Sequence, residues 1–256
     1  MTIDANKSSR LAGKKAVITG GTTGIGLASA QRFAAEGAKV LITGRSQESV
    51  DAAAAKIGHG AVGVAADSSK LSNLKTLGDA AKAHLGQVDI LFANAGNGMF
   101  APLADVDEAL YDRQFDLNVK GVFFTVQSLL PLMGQGGSII LTASAVHSKG
   151  APGGSLYFAS KAAVRSFARS MAAELGPLGI RVNTLSPGIV PTQFFENSNA
   201  PAALYNDFEV MAGHGSPLGR AGTPEEQAAA SLFLASDESR FMTAADLVND
   251  GGGMNV

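Results

Sequence analysis

Cysteine is absent from the 256-residue sequence. That removes disulfides, thiolate zinc sites, iron–sulfur clusters and a cysteine nucleophile together. Charge is scarce: 16% of residues are charged, and 20 Lys plus Arg against 22 Asp plus Glu leave a net charge of −2. No basic excess advertises a nucleic-acid partner. No apolar run approaches the roughly 18 to 20 residues that span a bilayer, and the polar segment Met1–Arg10 lacks the apolar stretch of a secretory signal. The four histidines, His59, His84, His147 and His214, are scattered without metal-binding spacing, so no metal is expected. Internal repeats and low-complexity linkers are missing as well. The expectation is a cytoplasmic protein with neither a nucleic-acid nor a membrane partner. What is plentiful is hydrophobic residues, at 46%, and glycine, at 31 residues clustered at particular points. A chain of this length buries a large core as one α/β domain.

Short apolar, β-branched runs alternate with Ala-rich helical segments. Strands are expected at Lys15–Thr19, Lys39–Thr43, Ala61–Ala66, Val88–Ala93, Ser138–Thr142, Ile180–Ser186 and Asp246–Asn249. Helices are expected at Gly26–Glu36, Gln47–Ile57, Leu71–Leu85, Asp107–Met133, Leu156–Leu175 and Pro224–Ser236. This rhythm implies right-handed βαβ crossovers and a doubly wound parallel sheet of about seven strands, a Rossmann-type fold with helices on both faces. One segment breaks it. Residues 187–220 carry Pro191, Pro201, Pro217, Phe194, Phe195, Tyr205 and Phe208. A long insertion after a strand's carboxyl end reads as a binding loop or lid.

The run Thr19-Gly20-Gly21-Thr22-Thr23-Gly24-Ile25-Gly26 follows the first strand and opens the first helix. Glycines let backbone amides approach a pyrophosphate, and the helix N-terminus adds partial positive charge. The plain alternative is a tight turn with no ligand. The second strand ends at Gly44-Arg45-Ser46, where such folds read the adenosine ribose. An acidic residue there would bind the 2′-hydroxyl of NAD. Arg45 instead suits a 2′-phosphate, unless it is only a solvated side chain starting a helix.

Tyr157 and Lys161 are four residues apart, hence on one helix face. An ammonium near a phenol stabilises phenolate and is expected to lower the tyrosine pKa toward the range useful for proton transfer. A chance pairing of a core tyrosine with a lysine is the alternative. Ser144 follows the fifth strand, where its hydroxyl can meet a substrate oxygen or merely cap a turn. Thr142 is expected to remain within the strand.

Together these residues resemble the short-chain dehydrogenase/reductase family over about residues 14–253. The loop Thr19–Gly26, comprising Gly20, Thr22, Thr23, Gly24, Ile25 and Gly26, matches the family's glycine motif. The resemblance implies that Asp67 touches the adenine, and that Asn94-Ala95-Gly96 supports the cofactor. It implies that Arg45 and Ser46 meet the adenosine end, and that Pro187, Gly188, Ile189 and Thr192 hold the nicotinamide. Asn118, Ser144, Tyr157 and Lys161 match the catalytic positions. Tyr157 would exchange the proton and Ser144 hold the carbonyl oxygen. Lys161 would lower the tyrosine pKa and bind the nicotinamide ribose, while Asn118 supports a water linking Lys161 to solvent. Two features depart from the pattern: Ala93 precedes Asn94 where the family often has a second asparagine, and Thr22 and Thr23 stand where many NADPH enzymes carry a basic residue. Arg45 would thus carry most of an NADP(H) preference, with NAD(H) the weaker choice.

The nicotinamide face is expected to be lined by Asn97–Phe100, Val146, His147, Leu156, Ile189, Val190, Phe194, Phe195 and Tyr205. Their apolar and aromatic character suggests a hydrophobic or aryl ketone, or its secondary alcohol, or simply lid packing. The resemblance implies a homotetramer, with the tail Gly251–Val256 near an interface and Phe123, Phe124, Val164 and Phe167 in either an interface or the core. Two other functions compete. One is a 3-oxoacyl-thioester reductase, with Arg165 and Arg169 on a carrier-docking surface. The other is a nucleotide-binding regulator without chemistry.

Overall fold

A computed structural model describes residues 9–199 and 215–256. Among the described residues, seven strands form one parallel sheet: β1 (Lys15–Thr19), β2 (Lys39–Gly44), β3 (Val62–Ala65), β4 (Ile90–Ala93), β5 (Ser138–Thr142), β6 (Arg181–Pro187) and β7 (Asp246–Asn249). Their spatial order is β3-β2-β1-β4-β5-β6-β7. The chain starts in the middle, walks to one edge, then returns to lay β4 on the other side of β1. Val17 is registered against Leu41 of β2 and Leu91 of β4. The crevice at that reversal, outside the strands' carboxyl ends, is where ligands bind in such sheets.

Successive strand residues enter opposite cores. Val17, Leu41, Leu91 and Ile139 pack with residues of α3 (Leu71–Leu85), α5 (Val122–Leu129) and α6 (Ser155–Leu175). Their neighbours Ile18, Ile42, Phe92 and Ile140 pack with residues of α1 (Gly24–Ala35), α2 (Gln47–Ile57) and α8 (Pro224–Ala235). Each fully buried aliphatic side chain contributes about 1.5–3 kcal/mol. The sheet is therefore covered on both faces as a single domain. Val164 belongs to this core, and Phe124 and Phe167 pack against it, whereas Phe123 is part-exposed and stacks edge-on with both.

Element boundaries differ from expectation where caps decide them. Thr23, at φ −151° and ψ 170°, is the extended residue before α1, so the helix starts at Gly24. The segment expected as one helix over Asp107–Met133 is helical throughout, but its turn type changes along it. Asp107 caps α4 (Glu108–Phe115), a π-helical turn spans Asp116–Gly121, and α5 follows before a final 3₁₀ turn at Leu130–Leu132. The π turn places Asn118 in the protein interior, with its side-chain amide on the backbone of Asn97. Such widened turns recur at functional sites.

Of the expected loop after β6, Thr192 caps the short helix α7 (Gln193–Glu196). Tyr205, Phe208, Pro201 and His214 lie outside the described residues. Among the described residues no helix is long and apolar enough to cross a membrane.

Candidate active site

The glycine loop is fixed from below and from the side. Thr19 Oγ1 accepts hydrogen bonds from the amides of Asn94 and Ala95, both at 3.1 Å. The Asn94 side-chain amide donates to the carbonyls of Thr19 and Gly20, both at 3.2 Å. Gly20 has φ +64°, and a Cβ on Gly26 would lie 2.1 Å from the Gly20 carbonyl oxygen. Only glycine permits this closeness, which turns the loop onto the N-terminus of α1. No acidic residue occupies that helix's first turn, so its positive end is uncompensated.

Arg45 is exposed at the end of β2. Ser46 caps α2, its hydroxyl accepting from the Ser49 amide at 3.3 Å. Asp67 Oδ1 accepts from the amide and hydroxyl of Ser69 at 3.0 and 2.7 Å. These three residues lie outside the cavity described next, on the β2–β3 side of the loop.

A cavity of about 510 Å³ joins the glycine loop to the ends of β4, β5 and β6. It is lined by Gly20, Thr22, Thr23, Gly24, Ile25, Asn94, Ala95, Gly96, Pro187, Gly188, Ile189 and Thr192. Ser144, Tyr157, Lys161, Val146, Phe194 and Phe195 line it too. Gly26 packs beneath the loop, and Asn118 stands behind the wall.

Ser144 follows β5 and opens a 3₁₀ turn, its Oγ accepting from the Val146 amide at 3.4 Å. Tyr157 and Lys161 sit one turn apart on α6, with Lys161 Nζ 5.8 Å from the Tyr157 ring centre. That ammonium also donates to the Thr142 carbonyl at 2.9 Å. Burial pushes the Tyr157 pKa up to about 12, with a hydrogen bond from the Ser144 side chain pulling the other way. Burial also brings the Lys161 pKa down to about 8. The expected lowering of the tyrosine pKa by the lysine is therefore corrected. The ammonium lies 5.8 Å from the ring centre, and loss of water is the largest influence on each group.

Asn118 joins two parts of the site. Its Oδ1 accepts from the Asn97 amide at 3.0 Å, and its Nδ2 donates to the Asn97 carbonyl at 2.9 Å and to Ser160 Oγ at 3.1 Å. Ser160 in turn donates to the Tyr157 carbonyl at 2.7 Å. Gln114, fully buried one turn earlier, was not anticipated from the sequence. It holds the same loop by accepting from Met99 N at 2.6 Å and donating to the Asn97 carbonyl at 3.1 Å. The signal was its spacing, i−4 from Asn118.

Three further rings surround Tyr157: Phe100 at 5.4 Å, Phe194 at 5.5 Å and Phe158 at 6.1 Å between centroids. Phe158, Lys149, Arg220, Asp250 and Gly253 line the cavity without having been anticipated. Of the residues expected on the nicotinamide face, Asn97, Phe100 and Val190 line the cavity, whereas Gly98 and Met99 do not.

Three expectations are corrected. His147 does not line the cavity: its ring is paired with Asp246, at 2.7 Å. Leu156 is buried outside the lining. Arg165 is no docking residue, because its side chain is 15% exposed and is engaged by Asp246 and the Ala244 carbonyl. Arg169 is exposed.

Comparison with known proteins places this geometry. The family profile described as enoyl-(acyl carrier protein) reductase matches residues 20–254. The oxidoreductase asL5 of Sarocladium schorii is 49% identical over 95% of this chain and 96% of its own length. A short-chain type dehydrogenase/reductase from Mycobacterium marinum is 37% identical and superposes with a TM-score of 0.87, covering 96% of this chain and 97% of that one. A short-chain dehydrogenase from Burkholderia cenocepacia J2315, solved in complex with NADP, is 34% identical with a TM-score of 0.88, covering 96% of this chain and all of that one.

Proposed function

The chain belongs to the short-chain dehydrogenase/reductase family of NAD(P)(H)-dependent oxidoreductases acting on carbonyl and alcohol groups, and from that premise we propose that it is an NADPH-preferring reductase of hydrophobic or aryl ketones. The single observation that carries this reading is the shared cavity. The glycine loop opens at one end, and Ser144, Tyr157 and Lys161 stand at the other beneath a wall of phenylalanines.

The residues present fit a dinucleotide. The side-chain-free approach at Gly20 and Gly26 and the uncompensated N-terminus of α1 suit a pyrophosphate. Arg45 would meet a 2′-phosphate, Asp67 the adenine end, and Pro187–Thr192 the nicotinamide end. When bound, NADPH supplies the hydride. The protein supplies position and the proton. With its pKa near 12, Tyr157 is protonated at neutral pH and set to donate to the carbonyl oxygen. Ser144 donates to the same oxygen as charge develops there. Lys161, charged below about pH 8, stabilises the phenolate left behind. Asn118 fixes the Asn97 loop beside it. The segment at about 187–220 acts as the lid, and a homotetramer is the assembly.

The assay is nicotinamide absorbance during turnover of ketones from small aliphatic to bulky aryl, with NADPH and NADH in parallel. Rapid consumption of NADPH with aryl ketones is expected. A second reading, reduction of a 3-oxoacyl thioester, is favoured by a 42% identical solved structure described as a putative betaketoacyl-ACP reductase. Turnover of acetoacetyl thioester above that of every ketone would put it first.

A further inference from the structure

Behind Ser144 lies a cluster that the proposed reaction does not use directly. His147 belongs to the four-residue 3₁₀ turn that Ser144 opens, and its amide donates to the Ser144 carbonyl at 3.0 Å. Its ring Nε2 lies 2.7 Å from Asp246 Oδ2 on β7. The other oxygen of that carboxylate accepts the hydroxyls of Thr184 and Ser186 on β6, at 2.7 and 2.6 Å. Arg165 approaches the same carboxylate at 3.8 Å and donates to the Ala244 carbonyl at 2.9 Å, leaving its other terminal nitrogen buried without a partner. The three side chains of His147, Asp246 and Arg165 are each only about 15% exposed.

Arg165 is four residues beyond Lys161 and eight beyond Tyr157, so all three face one way from α6. A single carboxylate thus ties together the turn carrying Ser144, the strands β6 and β7, and the helix carrying Tyr157. Apart from the His147 ring, the turn is held by its own backbone bonds, the 3.4 Å cap bond to Ser144, a 3.9 Å contact from Ser148 to Met254 Sδ and its packing against α6. The charge-assisted bond at 2.7 Å is what ties this turn to β7.

We propose that His147 and Asp246 are positioning residues that set the Ser144 hydroxyl against the Tyr157 hydroxyl. The inference rests on the reading of Ser144 and Tyr157 as the proton-transfer pair. Misplacement of a catalytic group by about 1 Å costs up to about 10²-fold in rate.

The test compares His147→Leu, His147→Gln and Asp246→Asn with the wild type in ketone reduction, with NADPH binding followed by its fluorescence. His147→Leu is expected to lower kcat about tenfold or more while NADPH affinity stays unchanged. His147→Gln, which keeps a donor near the Nε2 position, is expected to restore most of the rate. The double variant His147→Leu/Asp246→Asn is expected to be no slower than the slower single variant, because both break one contact. A His147→Leu protein with wild-type kcat, or one that loses only melting temperature, overturns the proposal. So does a glutamine variant as slow as the leucine variant. Should the wild type reduce neither ketone nor thioester, the reaction assigned above falls, and hydrogen exchange at the Val146 and His147 amides still decides the clamp. Exchange must accelerate in His147→Leu and recover in His147→Gln; unchanged exchange overturns it.

Discussion

Lys161 and Tyr157 stand one helical turn apart with the ammonium 5.8 Å from the ring centre, and burial favours the neutral form of each, with pKa values of about 8 and about 12. In the proposed reaction the pair gives a proton away. Reduction needs the phenol protonated, which it is throughout the neutral range, and needs the lysine charged to hold the phenolate. Reductive kcat is therefore expected to be level below about pH 8 and to fall above it as Lys161 loses its proton. Alcohol oxidation, which starts from phenolate, is expected to rise with pH. A reductive rate constant flat to about pH 10, near the ordinary lysine pKa, would disprove the assignment of Lys161.

Lys161 also carries a stability cost. Its folded pKa of about 8 lies below the ordinary 10.5, so between those values the folded state holds fewer protons than the unfolded chain. Stability of the wild type from this group rises with pH across that window, and the full cost is present below about pH 8. Every tenfold weakening of the hold on the proton corresponds to about 1.4 kcal/mol. Lys161→Met is expected to abolish turnover yet melt at a higher temperature than wild type at about pH 7, with the gain shrinking by about pH 10. Calorimetry at the two pH values checks it.

Gly26→Ala places a methyl 2.1 Å from the Gly20 carbonyl oxygen. Backbone cannot yield as a flexible side chain does, so the loop must open at a cost of about 1–3 kcal/mol. NADPH binding, read by fluorescence titration, is expected to be lost while the sheet's circular dichroism persists.

Arg45 is exposed, so its replacement should leave melting unchanged. Arg45→Asp is expected to raise KM for NADPH by about 10- to 100-fold, or about 1.4–2.8 kcal/mol, and to lower that for NADH. Steady-state kinetics with both cofactors measures it.

Phe194 packs with its ring centre 5.5 Å from that of Tyr157. Aromatic pairs add about 0.5–1.5 kcal/mol beyond area. Phe194→Ala is expected to lower kcat/KM for aryl ketones several-fold more than for small aliphatic ones. Equal losses on both would assign the ring to lid packing instead.

The alternation of strands and helices and the doubly wound parallel sheet were legible because they rest on local signals, whereas the grouping of the glycine loop with Ser144, Tyr157 and Lys161 came from the family resemblance. β-Branched runs read directly as β1, β5 and β7 at their observed limits. The π turn at Asp116–Gly121 was not legible. It accompanies the pairing of Asn118 with Asn97, twenty-one residues away, and helical periodicity carries no trace of that contact. His147 was misplaced for the same reason, since its partner Asp246 is ninety-nine residues distant. The tyrosine pKa went the other way because spacing reveals proximity to lysine, whereas burial depth depends on rings contributed by three separate segments.

In the proposed reaction, proton donation by the Tyr157 hydroxyl is the step on which every other role at the site depends. Tyr157→Phe should bind NADPH as the wild type does and consume it at least about 10²-fold more slowly with the best ketone. A phenylalanine variant that keeps the wild-type rate would contradict it.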